Sequence, residues 1–340
     1  MAAALLFGVG TPLAKLLLTQ ASPWLLAALL YLGSGLGLGL LRQLRRAPPV
    51  RLAPGEWRWF AGAIASGGVA APVLLMTGLS AMPASGAALL LNAEGALTAL
   101  LAWFVFRENF DGRIALGLLA IVAGAVVLSW PVQGPIEFAS FWPTLAVLGA
   151  CLGWAIDNNL TRKVALSDAS WIAMVKGLAG GVTNLALALG LGATWPGTAS
   201  VLTAAAIGFL SYGISLALFV VALRQLGTAR TGAYFSVAPF LGALTAVLLL
   251  EEPVTPGLLL GGVLMFIGVA LHLLERHEHP HTHVPIAHEH EHVHGIDDLH
   301  HVHDHQPAVA PGTRHSHSHQ HLPTTHVHPH FPDEHHRHRH

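Results

Sequence analysis

LLLNAEGALTALLAWFVFRE, residues Leu89 to Glu108, is long and apolar enough to cross a bilayer. Its one interior acid, Glu94, sits near the middle of the helix predicted over Ala84–Phe106. That is about ten residues from either end, or ~15 Å at the helical rise. An ionised carboxylate at such depth costs at least ~2.5 kcal/mol, so it faces a cavity or the bundle interior. Two readings stand for Glu94. It handles substrate or protons, or it is a protonated or paired acid that locks helices together.

Apolar runs of this kind recur along the 340 residues. The chain is 53% hydrophobic and only 10% charged, with 36 Gly, which excludes an ordinary soluble domain. The expected fold class is an all-α polytopic membrane protein, because recurrent ~20-residue apolar runs are helices rather than barrel strands. Ten spans are predicted: Ala2–Leu18, Trp24–Leu41, Trp59–Leu79, Ala84–Phe106, Ile114–Trp130, Phe141–Leu160, Ser170–Leu191, Val201–Leu223, Thr231–Leu250 and Gly257–Leu274. The first run has no basic leader before it and reads as a retained helix rather than a cleaved signal. The single Cys, Cys151, excludes an intrachain disulfide and reads as a small core residue.

Basic residues sort onto alternate connectors. Arg42, Arg45, Arg46, Arg51 and Arg58 flank the second, Arg107 and Arg113 the fourth, Arg162 and Lys163 the sixth, and Arg224 and Arg230 the eighth; Arg276 follows the last span. The connectors Thr19–Pro23, Ser80–Pro83, Pro131–Ser140 and Glu251–Pro256 hold no Lys or Arg. The positive-inside rule then places both termini in the cytosol, with the protein in the bacterial inner membrane.

A shift of 144 residues lays helices four and five on helices nine and ten. Glu108 meets Glu252, Gly117 meets Gly261, Gly124 meets Gly268, Glu94 meets Ala238, and Gly95 meets Pro239. Each half holds five helices, an odd number, so the two repeats must be inverted, an arrangement that builds alternating-access carriers with a midplane site. The domains expected are residues 1–133 and 134–275 for the two five-helix repeats and 276–340 for a tail.

Each repeat ends in a small-residue-rich helix after a Glu, in Arg107-Glu108-Asn109 and Glu251-Glu252-Pro253. With Asn92-Ala93-Glu94-Gly95, which is similar to a Glu-Pro element of the fourth helix, this pattern resembles the EamA-type permeases of the drug/metabolite transporter superfamily. Leu6 to Lys15 and Gly153 to Lys163 are also similar to the helix-one and helix-six segments of one bacterial subgroup. The resemblance covers Met1 to about Glu275. It implies export or exchange of amino acids, metabolites, nucleotide sugars or drugs, often proton-linked. Small multidrug exporters of that superfamily carry an acid in their first helix, where this chain has only Lys15. That departure favours an anionic or zwitterionic substrate.

Polar groups within the spans supply the other site candidates: Lys15, Lys176, Asp157, Asn92 and Asn184, with Asn158 and Asn159 as interhelical hydrogen-bonding amides. Lys15 and Lys176 are also read as snorkelling cations near helix ends, and Asp157 as a local partner of Arg162. Asn92 cannot share a helix face with Glu94, being two residues away. The glycine run Gly33 to Gly39 reads as tight packing. No Ser/His/Asp set, phosphate loop or HExxH pattern occurs, so no enzyme and no required cofactor is expected.

All 24 His lie from His272 onward. The tail is expected to be disordered, because its prolines and charges leave little apolar area to bury. Its alternating runs, His277, His279, His281, His283, then His288, His290, His292, His294, then His315, His317, His319, His321, present ring nitrogens along one edge of an extended chain. Neutral imidazole suits Zn, Ni, Co and Cu, so metal binding by the tail is predicted; the tail then buffers or senses a metal that the permease moves, regulates a permease for something else, or is a drifted low-complexity extension. Three functional classes follow. The first is a secondary carrier of small metabolites, amino acids or drugs. The second is a transition-metal transporter, or metal-regulated permease, with the tail as collector. The third is a non-transporting membrane sensor. The expected partners are the lipid bilayer, a small-molecule substrate and metal ions at the tail, and no nucleic acid.

Overall fold

A computed structural model describes residues 1–50, 52–53, 55–106, 112–130, 138–164, 168–219, 222 and 234–273. In the tail it describes the backbone of 278–282, 287–293, 314–320 and 325–329. Residues 1–275 and 276–340 form separate compact units. The described part of the first unit is helical throughout. Its helices are α1 (Ala2–Leu17), α2 (Pro23–Leu44), α3 (Trp57–Ala63), α4 (Ala71–Ser80), α5 (Ala84–Leu90), α6 (Ala93–Phe106), α7 (Gly112–Ser129) and α8 (Phe138–Thr161). They continue with α9 (Ala169–Gly190), α10 (Thr198–Ile207), α11 (Ala238–Leu249) and α12 (Pro256–Leu273).

The helix starts follow from local chemistry. Ser22 caps α2, its hydroxyl accepting from Leu25 N–H at 3.4 Å, and Pro23 opens the first turn, where no donor is missed. Asp168 caps α9 by accepting from Ser170 N at 2.8 Å and Trp171 N at 3.1 Å. Thr255 does the same for Leu258 N at 3.1 Å, beside Pro256.

Five helical stretches are long and apolar enough to cross a membrane: Pro23–Leu44, Trp57–Ser80, Ala84–Leu101, Ala169–Gly190 and Thr198–Phe219. Shorter apolar helices cover Ala2–Leu17, Ala115–Ser129, Ala238–Leu249 and Pro256–Leu271. The core is largely apolar, and so is the exposed surface. Leu119, Leu202 and Leu248 are 63%, 65% and 72% exposed, while Asn184 is fully buried and Asn92, Asp157 and Asn159 nearly so. Large apolar side chains outside and amides inside suit a hydrocarbon solvent.

Helices predicted as single rods are interrupted. The fourth predicted span breaks at Leu91-Asn92, between α5 and α6. Asn92 causes the break. Its Nδ2 donates to the Leu89 carbonyl at 2.8 Å, the acceptor that Ala93 N–H would use in a continuous helix. Asn92 N bonds to Leu89 O and Glu94 N to Leu91 O, both tighter three-residue closures. The ninth span has a turn at Ser236-Val237, just before α11, where Pro239 has no N–H to offer.

Two π-helical segments complete the pattern. Ile64–Ala70 joins α3 to α4, and Gly208–Ile214 follows α10. Adding 144 to 64 and 70 gives 208 and 214, so the widened turns coincide under the repeat shift. Pro72 contributes to the first, because it cannot donate to the Gly68 carbonyl.

Helix contacts exchange in the same way. α2 packs on α9 and α7 on α12, each against its own counterpart. α1 packs on α11 as α8 packs on α6, and the first π segment lies on α9 as the second lies on α2. Close approach is made by small residues. Gly177 faces the backbone of Gly35 and Tyr31, and Gly242 faces Gly8. The run Gly33 to Gly37 packs against Ala205, Leu178 and Phe209, as the packing reading expected.

The tail departs from the expectation of disorder in its described backbone. Strands β1 (Glu278–Thr282), β2 (Ala287–Val293), β3 (Arg314–Gln320) and β4 (Thr325–Pro329) form two antiparallel pairs, β1 with β4 and β2 with β3. The strict alternation of His with other residues has the two-residue period of a strand. His277, His283, His294 and His321 lie outside the described residues.

Candidate site in the helix bundle

Glu94 occupies the first turn of α6, directly after the break. Its Oε1 accepts from Asn158 Nδ2 of α8 at 3.0 Å. The same amide nitrogen is 3.4 Å from Thr98 Oγ1, and that hydroxyl donates to the Glu94 carbonyl at 2.8 Å. Asn159 continues the seam by donating to Thr98 O at 3.3 Å and Ala155 O at 2.9 Å. Glu94 lies inside the bundle yet stays partly exposed, and the space beside Gly95 is open to 4 Å.

Trp154 is four residues before Asn158 and so lies on the same face of α8. Its Nε1 donates to Tyr31 Oη at 3.2 Å and to Gly67 O at 3.1 Å, and Tyr31 Oη donates to Gly67 O at 2.9 Å. Gly67 belongs to the first π segment, whose carbonyls point away from a regular ladder. From Tyr31 the rings continue across the bundle. Tyr31 and Tyr212 are 5.8 Å apart by centroids, Phe7 and Tyr212 5.9 Å, Phe7 and Phe235 5.4 Å, and Phe219 and Phe235 4.7 Å. Tyr212 is in the second π segment, and Phe235 immediately precedes the second helix break.

The other candidates have different surroundings. Lys176 Nζ pairs with Asp157 Oδ1 at 2.5 Å, with side chains only 15% and 10% exposed, and Thr161 Oγ1 bridges them at 2.7 and 2.8 Å. Lys176 is thus turned inward rather than snorkelling, and Asp157 pairs across to α9. Lys15 Nζ donates to the carbonyls of Leu79, Ser80 and Met82 at 2.6, 3.3 and 2.9 Å, which clamps the turn between α4 and α5. Its charge is absorbed by backbone dipoles, so it gives no support to an anionic substrate. Asn92 serves the helix break. Asn184 Nδ2 reaches Gly68 O and Val69 O of the first π segment at 3.3 and 3.2 Å, and its Oδ1 has no partner among the described residues.

Of the predicted site residues, Glu94 is partly exposed and joins no ion pair among the described residues, and Asn158 holds it. Tyr31, Trp154, Tyr212 and Phe7 were missed. The one usable signal was the four-residue spacing of Trp154 and Asn158. Cys151 is buried beneath the break, its thiol 3.6 Å from Leu90 O. Among the described residues no group of three or more His, Cys, Asp or Glu is gathered around a metal position.

Comparison with known proteins gives the context. The EamA-like transporter family matches twice, over residues 1–130 and 141–274. An uncharacterized transporter of Methanothermobacter thermautotrophicus is 28% identical over 287 residues, covering 78% of this chain and 82% of that protein. A solved crystal structure of a protein superposes with a TM-score of 0.57 at 22% identity, covering 81% of this chain and 99% of its own; this likeness speaks to fold alone. Neither the family description nor the relative's name mentions a metal, and the metal-transport alternative gains no support from them. With two matches that together span most of the sequence, on helices apolar enough for a bilayer, the chain is an integral membrane protein belonging to the EamA-like transporter family.

Proposed function

We propose that the protein is a secondary carrier of small metabolites, amino acids or drugs working by alternating access. In this reading ten spans form two oppositely oriented five-span repeats, residues 1–133 and 134–275, with both termini on the cytosolic side of the bacterial inner membrane. Glu94 binds substrate or a coupling proton, and Lys176–Asp157 and Lys15 hold the surrounding helices. One observation carries the reading: a carboxyl lies beside a helix break, borders open space, and joins no ion pair among the described residues. A broken helix at a repeat interface is where carriers place substrate. The test is uptake of a panel of labelled amino acids and amine drugs by proteoliposomes of wild-type protein and Glu94→Gln, under an imposed pH gradient. Loss of gradient-driven uptake in the variant is expected. Unchanged rate and unchanged pH dependence remove Glu94 from the mechanism.

The tail is proposed separately to bind Zn, Ni, Co or Cu. Its backbone register supports this by setting His288 opposite His319, His290 opposite His317, and His292 opposite His315, with His279 opposite His328 and His281 opposite His326. Directly opposed residues have Cβ atoms ~4.5–5.5 Å apart and lie on one face of the ribbon. Calorimetric titration of the full chain with Zn is expected to lose heat and stoichiometry in the triple variant His288→Ala, His290→Ala, His292→Ala. An unaltered titration refutes the register.

A further inference from the structure

The carrier reading leaves the substrate class open, and the charged side chains described within the spans narrow it. Lys15 is spent on three backbone carbonyls. Lys176 is matched by Asp157. Glu94 has one neutral amide as its side-chain partner and open space beside it. An unmatched carboxylate at membrane depth is costly, and a cation bound against it recovers that cost.

A run of aromatic side chains crosses the bundle from the same face of α8 as Asn158. It starts at Trp154, one turn from Asn158, and passes through Tyr31 and Tyr212 to Phe7 and Phe235. Tyr31, Tyr212, Phe7 and Phe235 lie within the bundle but keep accessible surface, so they line space rather than fill it. Ring faces attract cations and pack flat apolar groups. Neither cationic side chain of the surrounding seam is free to receive an anion.

We propose that the transported substrate is an organic cation: a protonated or quaternary amine attached to a planar or apolar body. Glu94 takes the ammonium group, held in position by Asn158. The aromatic run from Trp154 to Phe7 takes the body. The proposal rests on the carrier reading and reverses the anionic or zwitterionic expectation drawn from Lys15.

Four probes of one shape test it: phenethylamine, 2-phenylethanol, phenylacetate and phenylalanine, binding to full-length protein in detergent by calorimetry. Phenethylamine is expected to bind about tenfold or more tighter than 2-phenylethanol, which is ~1.4 kcal/mol or more. Phenylalanine is expected to fall below it and phenylacetate below both. Glu94→Gln is expected to bring the amine-to-alcohol ratio near one. Tyr212→Leu is expected to weaken both probes several-fold and keep their ratio. Equal binding of amine and alcohol by the wild type overturns the proposal, and this measurement needs no variant to fold. So do tighter binding of phenylacetate, a ratio unchanged in Glu94→Gln, or binding of none of the four. Flux in proteoliposomes separates the two layers. Amine-selective binding without flux defeats the carrier reading alone. Flux of an anion in preference to the amine defeats the charge assignment and leaves the carrier reading standing.

Discussion

Lys176→Met is the most informative perturbation of the scaffold around the site. The substitution keeps all but the last atom of the side chain's length and removes the charge that sits 2.5 Å from Asp157 Oδ1. Breaking a buried pair by removing one partner costs ~3–5 kcal/mol, because the remaining charge is stranded. Two structural facts place the expected loss in that range. Thr161 still donates to Asp157 at 2.8 Å, which favours the lower end. Against this, Gly67 closes on the carboxyl so tightly that even a methyl group there would collide with it, leaving Asp157 no room to turn toward water. We expect a loss of ~3 kcal/mol. Reversible unfolding in mixed detergent micelles measures it. The double variant Asp157→Asn, Lys176→Met removes both charges and keeps an acceptor for Thr161, so it is expected to lie within ~1 kcal/mol of wild type. If the double variant is as unstable as the single one, or the single one is unchanged, the pair is not what holds α8 to α9.

Two further outcomes follow from groups at the ends of the helices. Glu252, in the connector between α11 and α12, accepts from Ala84 N at 2.6 Å and Ser85 N at 2.9 Å, tying the second half of the chain to the start of α5. Glu252→Gln removes the charge and leaves one accepting oxygen for two donors, and amide exchange at Ala84 and Ser85 is expected to quicken about tenfold, or ~1.4 kcal/mol; unchanged protection refutes the latch. Asp168 lies outside the spans. Burial alone would raise its pKa, but hydrogen bonds from Ser170, Arg42 and Trp171 N–H outweigh that and hold it below its ordinary value. A depressed folded pKa stabilises the fold above the ordinary carboxylate range, near pH 4. The contribution is lost as pH falls through the lower folded value. Asp168→Asn is expected to flatten acid destabilisation there, modestly because the group is about one-third exposed.

Most helices were legible because bilayer solvation writes itself into composition: a span needs a run of apolar residues and little else. Lys15 and Lys176 were visible as charges, but where each one goes depends on chain brought in from elsewhere. Lys15 finds carbonyls some sixty-five residues away, and hydropathy has no record of them. The break before Glu94 was hidden for a local reason. Whether Asn92 bonds to Leu89 or to a neighbouring helix changes no pattern of apolar positions. The aromatic wall was illegible in another way, since Tyr31, Trp154 and Tyr212 come from distant helices and each alone reads as an ordinary core ring.

The repeat shift explains why the two halves share a backbone but not a site. Both halves carry a π segment at matched positions, and both carry a break before α6 or α11. These devices interrupt the regular ladder in both copies, where helices from both halves meet. The chemistry is not duplicated. Glu94 is matched by Ala238 and Gly95 by Pro239, so one half breaks its helix with an amide and adds a carboxyl, and the other breaks it with proline and adds nothing charged. A single acid shared by two conformations can be offered to one side and then the other. Two acids, one per half, would have to be neutralised together in the same crevice. Under the carrier reading proposed above, a second carboxyl placed by Ala238→Glu, at a fully buried position, is expected to abolish uptake in proteoliposomes, and unchanged uptake refutes the need for a single acid.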